Sequence, residues 1–580
     1  MNSEQKTRSR IQIVPGIWIV LGVLALVVVR AQWSWRHYPH NINQFAKDFS
    51  SIEVFQNPPV VNHSGTLLGM IHTTPRGVGV FIANVTNKTE QKIYEDKDVD
   101  YMPTLSLIFG WSPDDRTFAC SWDLALHFVS DGGEDPSGVA TNVFRSFAWL
   151  SPDRCAYIDG SPKLAFCEKV HGRWQETASW PLSATNGRPR SLLAMGTNSV
   201  AWQTDNTLWQ MDLSSGEVRS LYNSNPRCSI GSVSYSKDAD AFLFVESTNR
   251  ATASSLIALS NGSCITKTTR NLLIRDAQWI NKGKGYAYRF MQGESSVLIA
   301  KADEVAPEAP LFPAGQVVHI FGNGDDTRVY AVASNTNDAP SIWRCDTRSE
   351  DVSRLFSPWG FQEMNVHFQP ALVGYAPIGN GHTERFVLIP PANFSRQKKY
   401  PLIIGLQDYD WEVVAHSTYS QALANCGAYV ALTGYHYTRQ APGADLLDYT
   451  NNVLAVYNQL AMNPNVDKSR IYLFAFSSST IVINELVKDY PGRWRGIMLF
   501  GFSTTAGLPE AKAGMTARVL VTAGSDEKWS WKQFPIYQEN LCKIGIPMES
   551  YIHPDSAHIE RAQNTMYQRS LLMGRMVFER

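Results

Sequence analysis

A short turn motif recurs along the first two-thirds of the chain and constrains the fold more than any other feature. Each copy has an apolar or aromatic residue, a small polar turn and then an apolar strand, and the copies begin at Val61, Trp111, Leu150, Met195, Tyr235, Trp279 and Phe321. Successive copies start 39 to 50 residues apart, and one four-stranded propeller blade takes about 40 to 50 residues. The repeat therefore predicts a β-propeller over residues 54–365. The seven copies predict seven blades, with six or eight as alternatives. A β-sandwich is the other all-β fold, but it has no reason to repeat at this interval.

The pattern changes after Pro370, where short β-prone runs begin to alternate with amphipathic helical segments. Tyr400–Leu406 reads as one of these strands, and Asp445–Met462 is the longest predicted helix. Such alternation requires a mostly parallel sheet that is covered by helices. We therefore assign residues 366–580 to an α/β domain, whose chemistry should lie outside the carboxyl ends of the strands.

The N-terminus is typical of a membrane anchor. Ile11–Val29 is a run of 19 residues without a charge, and Lys6, Arg8 and Arg10 precede it. Nineteen helical residues span about 28 Å, close to the thickness of a bilayer core. The basic flank predicts a cytoplasmic N-terminus and an exported body, periplasmic or extracellular. A cleaved signal peptide is the alternative, although its apolar core is usually shorter. Residues 1–31 thus form the predicted tail and anchor, and residues 32–53 a linker.

Composition narrows the choice of partners. The formal net charge is −1 and the isoelectric point is about 6.9, which leaves no basic excess for nucleic acid. No Cys-x-x-Cys or Cys/His cluster has zinc-ligand spacing, so we expect no metal and no cofactor.

In an exported body the cysteines could pair. Cys155 and Cys167 flank a predicted turn and could face each other across two strands, either as a disulfide or as two buried thiols.

A serine in the second domain lies between a predicted strand and a predicted helix. Ile471–Phe474 is a short β-prone run, residues 481–488 follow at helical spacing, and Pro491 ends the helix. Ser477 therefore occupies a sharp strand-to-helix turn. This is the geometry of a nucleophile elbow, which raises a hydroxyl above the sheet and directs a helix N-terminus at it. A serine-rich turn is also an ordinary N-cap, so the turn alone leaves both interpretations open.

Two residues later in the chain complete the order of residues in a catalytic triad. α/β-Hydrolases place their triad in the order serine, acid, histidine, with the last two on loops after later strands. Asp526 follows the predicted strand Arg518–Thr522, and His558 follows the predicted strand Met548–Ile552. In this triad Ser477 would attack a carbonyl, His558 would take its proton, and Asp526 would hold the imidazole in the correct tautomer.

Other residues compete for two of these roles. Glu527 is placed as well as Asp526 to be the acid. His553 and His436 compete with His558, but His553 should still belong to its strand and point into the sheet layer. We therefore favour Asp526 and His558.

With these residues in place, the chain resembles the prolyl oligopeptidase and dipeptidyl-peptidase IV family of serine peptidases. The similar segments are Leu388–Ile404, Asn465–Ile471 before the elbow, and the interval from Asp526 to His558. The resemblance covers residues 54–580 and is strongest in the last 190. It implies a propeller that caps an α/β-hydrolase domain, an acyl-enzyme mechanism and oligopeptide substrates. A homodimer is compatible with it.

The chain departs from this family at the elbow and beside it. The family keeps glycine two residues before and two residues after the nucleophile, where Ala475 and Ser479 stand here. A side chain there should cost about 1 to 3 kcal/mol unless the turn relaxes. The predicted oxyanion donors are the backbone N–H of Ser478 and a group in the segment that contains Gln407 and Tyr409. Gln407 replaces the tyrosine that the dipeptidyl-peptidase branch uses, and its amide can still donate.

These observations favour a membrane-anchored serine hydrolase, a peptidase acting on short peptides. A propeller above the site would exclude folded proteins by size. The altered elbow leaves a second hypothesis, a catalytically inactive protein that uses the same fold for binding or as a scaffold. An esterase is a third, because an elbow and a triad serve esters as well as amides.

Overall fold

The computed structural model describes most of the chain between residues 59 and 578. The described ranges are 59–74, 77–97, 107–122, 125–130, 133–134, 139, 143–159, 163–182, 189–248, 253–271, 273–292, 295–303, 305–311, 316–321, 327–334, 340–349, 351–357, 368–379, 382–407, 418–434, 444–501, 516–525, 531–554 and 563–578. The predicted anchor and linker lie outside them. Among the described residues, no helix is both long enough and apolar enough to cross a membrane.

Within the described part of the chain, the first 28 strands pair into seven antiparallel four-stranded sheets, each built from strands consecutive in sequence. The strands of the first four sheets are β1 Val60–Val61, β2 Leu67–Thr73, β3 Gly77–Asn84, β4 Thr89–Lys97, β5 Leu107–Trp111, β6 Thr117–Trp122, β7 Ala125–Ser130, β8 Gly133–Glu134, β9 Val143–Ser151, β10 Arg154–Asp159, β11 Lys163–Val170, β12 Arg173–Pro181, β13 Ser191–Ala194, β14 Ser199–Gln203, β15 Thr207–Asp212 and β16 Val218–Asn223. Those of the last three are β17 Cys228–Ser236, β18 Ala241–Thr248, β19 Ser254–Ser260, β20 Ser263–Arg270, β21 Ile274–Ile280, β22 Gly285–Gln292, β23 Ser295–Lys301, β24 Ala309–Pro310, β25 Gln316–Phe321, β26 Arg328–Ser334, β27 Ser341–Asp346 and β28 Val352–Phe356.

The seven sheets confirm the predicted propeller and its blade number. Each copy of the turn motif lies where the first strand of a sheet turns into the second; for example, Trp111 is the last residue of β5 and Phe321 is the last of β25. These turns need backbone conformations that few residues adopt. Asp115 has a φ of 61° and Gly65 a φ of 73°, which explains why small polar residues and glycine recur there.

The first and last sheets close the ring through side-chain packing. Leu68 and Met70 of the first sheet share a buried cluster with Tyr330, Val332 and Ile342 of the seventh. Within the described residues, each of the two sheets consists only of its own consecutive strands. This shared cluster buries apolar surface between the first and the seventh sheet.

The remaining strands form one eight-stranded sheet. In chain order they are β29 Leu372–Gly379, β30 His382–Ile389, β31 Tyr400–Gln407, β32 Tyr429–Gly434, β33 Val466–Phe476, β34 Gly496–Phe500, β35 Arg518–Gly524 and β36 Met548–His553. Their spatial order is β29-β30-β32-β31-β33-β34-β35-β36. Strand β30 pairs antiparallel with both of its neighbours, and the strands from β32 to β36 run parallel. This is the doubly covered, mostly parallel sheet that the alternating pattern predicts.

Five α-helices are described beside this sheet: α1 Thr418–Asn425, α2 Ala444–Ala461, α3 Thr480–Asp489, α4 Phe534–Lys543 and α5 Gln563–Phe578. Strand β33 is buried on both faces, because Leu473 and Ala475 belong to one apolar cluster and Tyr472 and Phe474 to another. The strand that carries the candidate nucleophile thus lies in the centre of the domain.

Strand β29 was not predicted from the sequence. Leu372, Tyr375 and Ile378 are exposed on this edge strand, while Ala376 is fully buried. Apolar side chains occupy the exposed positions, so the strand lacks the apolar–polar alternation that identifies a half-buried strand.

The propeller cysteines Cys155 and Cys167 face each other as predicted. They are directly paired in register between β10 and β11, and both are fully buried. The structure contains them as free thiols. Burial raises the pKa of Cys155 well above its usual value, and a hydrogen bond with Cys167 adds to the effect.

Candidate active site

Ser477 occupies the tip of a strand-to-helix turn. Strand β33 ends at Phe476, a single 3-10 turn covers Ser477–Ser479, and helix α3 begins at Thr480. The φ of Ser477 is 54°, in the left-handed region that a residue with a side chain rarely adopts. Such a conformation costs about 1 to 3 kcal/mol and is found where the surrounding structure enforces it, often at active sites. The geometry is that of the predicted elbow.

Two hydroxyl groups in the first helical turn bond back to the elbow. The Oγ of Ser479 lies 2.6 Å from the carbonyl oxygen of Phe476 and accepts the N–H of the same residue at 3.1 Å. The Oγ1 of Thr480 donates to the carbonyl oxygen of Ser477 at 2.6 Å. Both Ser479 and Thr480 are fully buried. The side chain that replaces the family's glycine is therefore accommodated by hydrogen bonds, which offset part of its expected cost.

The predicted oxyanion segment begins beside the elbow. Strand β31 ends at Gln407 and pairs in parallel with β33, so that Leu406 lies opposite Ala475. The carboxyl ends of the two strands consequently point the same way. Gln407 is thus placed one strand from the elbow, and Tyr409 lies outside the described residues. Ser478 lies within the 3-10 turn, directly after the candidate nucleophile.

The two other residues of the predicted triad, Asp526 and His558, also lie outside the described residues. The strands that precede them are described, and both end at the same edge of the sheet as β33. Strand β35 ends at Gly524, and β36 ends at His553, which is paired with Gly524.

The sheet register sets the distance that their loops must cover. Phe476, Phe500, Thr522 and Tyr551 lie at one level on four adjacent strands. Strands are spaced about 4.8 Å apart, which puts β35 about 10 Å and β36 about 14 Å from β33. Since extended residues span about 3.3 to 3.6 Å each, a loop of six or seven residues from the level of Tyr551 can bring a histidine at position 558 to Ser477. The lengths of both loops are compatible with the triad.

His553 is unsuited to the role of general base. Only 1% of the residue is exposed, at the carboxyl end of β36. Burial, together with the positive charge of Arg569, lowers the pKa of His553 to about 3. A general base works best with a pKa near the operating pH. The position agrees with the prediction that His553 belongs to the sheet layer.

The buried His553 should make stability depend on pH. Its pKa is about 3 when folded and about 6.5 when unfolded, so the unfolded chain binds the extra proton as the pH falls below about 6.5. We expect wild type to lose about 2 kcal/mol more unfolding free energy between pH 7.5 and pH 5 than His553→Gln loses. Denaturant titrations at the two pH values measure this difference. His171→Asn, at an exposed histidine of the propeller, is the control; equal losses in wild type and His553→Gln would contradict the assignment.

Sequence reasoning missed Arg569 of helix α5. This residue is 4% exposed, and its guanidinium lies 4.2 Å from the ring centre of Phe500 and 5.8 Å from that of Phe476. Its Nη2 also donates to the Oγ1 of Thr522 at 3.2 Å. A buried cation therefore packs on Phe476, the residue that precedes the candidate nucleophile. An arginine in an amphipathic C-terminal helix is ordinarily exposed, so the sequence carries no signal for this position.

Comparison with known proteins agrees with this architecture. No protein-family model and no curated protein sequence matches the chain. Solved structures do match: a puromycin-hydrolysing peptidase of Mycobacterium tuberculosis has a TM-score of 0.67 at 11% identity, over 92% of this chain and 96% of that one. The acylaminoacyl peptidase of Pyrococcus horikoshii has a TM-score of 0.63 at 11% identity, over 92% and 98%.

A third similar structure is the dipeptidyl peptidase 4 of Porphyromonas gingivalis, with a TM-score of 0.57 at 11% identity, over 90% of this chain and 89% of that one. The likeness extends over nearly the whole length of all three proteins. It confirms, at the level of the fold, the predicted combination of a seven-bladed propeller with an α/β-hydrolase sheet and the resemblance to prolyl oligopeptidases.

Proposed function

We propose that this chain, which has the fold of the prolyl oligopeptidase-type serine peptidases, is itself a serine hydrolase with Ser477 as its nucleophile. One observation carries the proposal: Ser477 has a left-handed φ of 54° between the central strand β33 and helix α3. An ordinary N-cap serine has an extended backbone. A strained serine at the carboxyl end of a central parallel strand is the arrangement of the nucleophile in α/β-hydrolases.

The proposed reaction proceeds through an acyl-enzyme. His558 removes the proton of the Ser477 hydroxyl as Oγ attacks the substrate carbonyl, and later gives that proton to the leaving group. Asp526 fixes the imidazole tautomer and balances its positive charge. The N–H of Ser478 and a donor from the segment of Gln407 and Tyr409 stabilise the oxyanion. In the second half of the reaction His558 takes a proton from water as the water oxygen attacks the acyl carbon. The bond to Oγ then breaks, the acid is released, and His558 returns the proton to Ser477.

Short peptides are the proposed substrates. The similar solved structures are peptidases by name, and a propeller next to the active site would admit short chains and exclude folded proteins. Purified full-length protein should therefore cleave chromogenic peptides of a few residues and leave a folded protein intact, whereas Ser477→Ala should cleave neither of them. Cleavage of simple esters without peptides would favour the esterase. If wild type cleaves neither peptides nor esters, the catalytically inactive binding protein is the better interpretation. The replacement of the family's tyrosine by Gln407 would agree with that outcome.

We also propose that Ile11–Val29 anchors the protein in a membrane. Its 19 uncharged residues follow a basic segment, which favours a cytoplasmic N-terminus and an exported body. Full-length protein should stay with the membranes during alkaline carbonate extraction, and a variant without residues 1–31 should be released. Release of the full-length protein would contradict the anchor. A mature N-terminus at Gln32 would show that the segment is a cleaved signal peptide.

A further inference from the structure

The hydroxyl of Ser479 has contacts that a glycine cannot make. Its Oγ lies 2.6 Å from the carbonyl oxygen of Phe476, 3.1 Å from the nitrogen of Phe476 and 3.3 Å from the carbonyl oxygen of Leu406. The residue is fully buried. A hydroxyl has one hydrogen to donate and two lone pairs that accept, so Oγ accepts the N–H of Phe476 and donates to one of the two carbonyl oxygens.

These partners belong to the nucleophile elbow and to the strand that leads into the oxyanion segment, whose relative position matters for the proposed reaction. Phe476 immediately precedes the nucleophile, and Leu406 immediately precedes Gln407, where the oxyanion segment begins. Strands β31 and β33 are neighbours, with Leu406 opposite Ala475. The Ser479 hydroxyl therefore lies at the junction of the elbow strand and the oxyanion strand, and it contacts the main chain of both.

We propose that Ser479 is a positioning residue, whose hydroxyl fixes the strained elbow of Ser477 against the end of β31. This inference rests on the proposed function. A nucleophile and its oxyanion donors have to be held within a fraction of an ångström of their reactive geometry. In the prolyl oligopeptidase family a glycine at this position allows the turn a wide range of backbone conformations. In this chain a hydrogen-bonded serine holds the turn in one conformation.

The alternative is that Ser479 is merely tolerated, as a small side chain that happens to fit. The two interpretations differ in the effect of Ser479→Gly. If the side chain is only tolerated, glycine relieves the strain that the side chain causes, and Ser477 reacts as fast as in wild type or faster. If the hydroxyl positions the elbow, glycine frees the turn and slows the reaction.

The chain offers a matched control in Ser112 of the propeller. This serine is also fully buried, its Oγ accepts the N–H of Thr117 at 2.9 Å, and it donates to the Oδ1 of Asp114 at 2.6 Å. Ser112→Ala therefore removes a hydroxyl with one main-chain donor and one oxygen acceptor, as Ser479→Ala does. It differs in lying outside the catalytic domain.

The experiment measures the second-order rate at which a fluorophosphonate labels Ser477 in full-length wild type, Ser479→Ala, Ser479→Gly and Ser112→Ala. We expect labelling to slow about tenfold in both Ser479 variants, the effect of one buried hydrogen bond, and to stay unchanged in Ser112→Ala. On a short peptide substrate the loss should fall on kcat, with KM little changed, because substrate binding does not use this hydroxyl.

Amide hydrogen exchange provides a readout that is independent of activity. The segment from Phe476 to Ser478 should exchange about tenfold faster in both Ser479 variants than in wild type or Ser112→Ala, since its main-chain hydrogen bond is lost. Labelling of Ser479→Gly at the wild-type rate, or unchanged exchange in this segment, would overturn the inference. A wild type that is inert to the probe would refute the proposed function, and exchange alone would then decide whether Ser479 fixes the turn.

Discussion

Ser477→Ala is expected to reduce turnover of a peptide or ester substrate by on the order of 10⁴-fold or more, the effect of removing the nucleophile of a catalytic triad. The substitution deletes only one oxygen from a partly exposed side chain, so the fold should be retained. Alanine at a φ of 54° is somewhat strained, and the midpoint of thermal unfolding should be measured alongside the rate.

Ser469→Ala provides the matched control for this experiment. Ser469 lies on the same strand, β33, but it is exposed and bonds locally to Asp467. Its loss should leave turnover unchanged. Turnover of Ser477→Ala within tenfold of wild type, with its fold intact, would show that another group performs the reaction.

His558→Ala is expected to have the second largest effect, again on the order of 10⁴-fold. Without a base the serine hydroxyl is a weak nucleophile at neutral pH. His436→Ala tests the competing histidine and should retain most of the activity. Residues that act as one catalytic unit are not additive, so the double variant Ser477→Ala, His558→Ala should be little slower than Ser477→Ala alone.

The pH dependence gives a further test of the same residue. The rate of wild type should rise with pH as the base loses its proton, and this rise should disappear in His558→Ala. Full activity of His558→Ala combined with inactivity of His436→Ala would move the role of the base to the earlier loop.

Much of the fold follows from the sequence because it depends on local chemistry that repeats. The turn residues of each blade recur at the interval of one propeller blade, and the helix predicted at Asp445–Met462 extends over Ala444–Ala461 in the structure. The position of Ser477 could be predicted for the same reason, since a strand, a turn and a helix each leave their own pattern in the sequence.

The features that the sequence did not predict are those that depend on contacts between distant segments. In the sequence, Ser479 is only a departure from the elbow motif. Its hydroxyl contacts a second strand because Leu406, 73 residues earlier, lies beside it in the fold. Arg569 reads as a solvent-facing charge until α5 packs its guanidinium on Phe500. Strand β29 has too little alternation to be recognised without its partner β30.

The most direct test of the central claim is to treat the full-length wild-type protein with a fluorophosphonate probe and to map the modified residue by mass spectrometry. Such probes phosphonylate a serine that a neighbouring base has activated. The proposed mechanism predicts a single modified residue, Ser477, and no labelling of Ser477→Ala or of the denatured protein. An unlabelled wild type, or a label on any other serine, would contradict it.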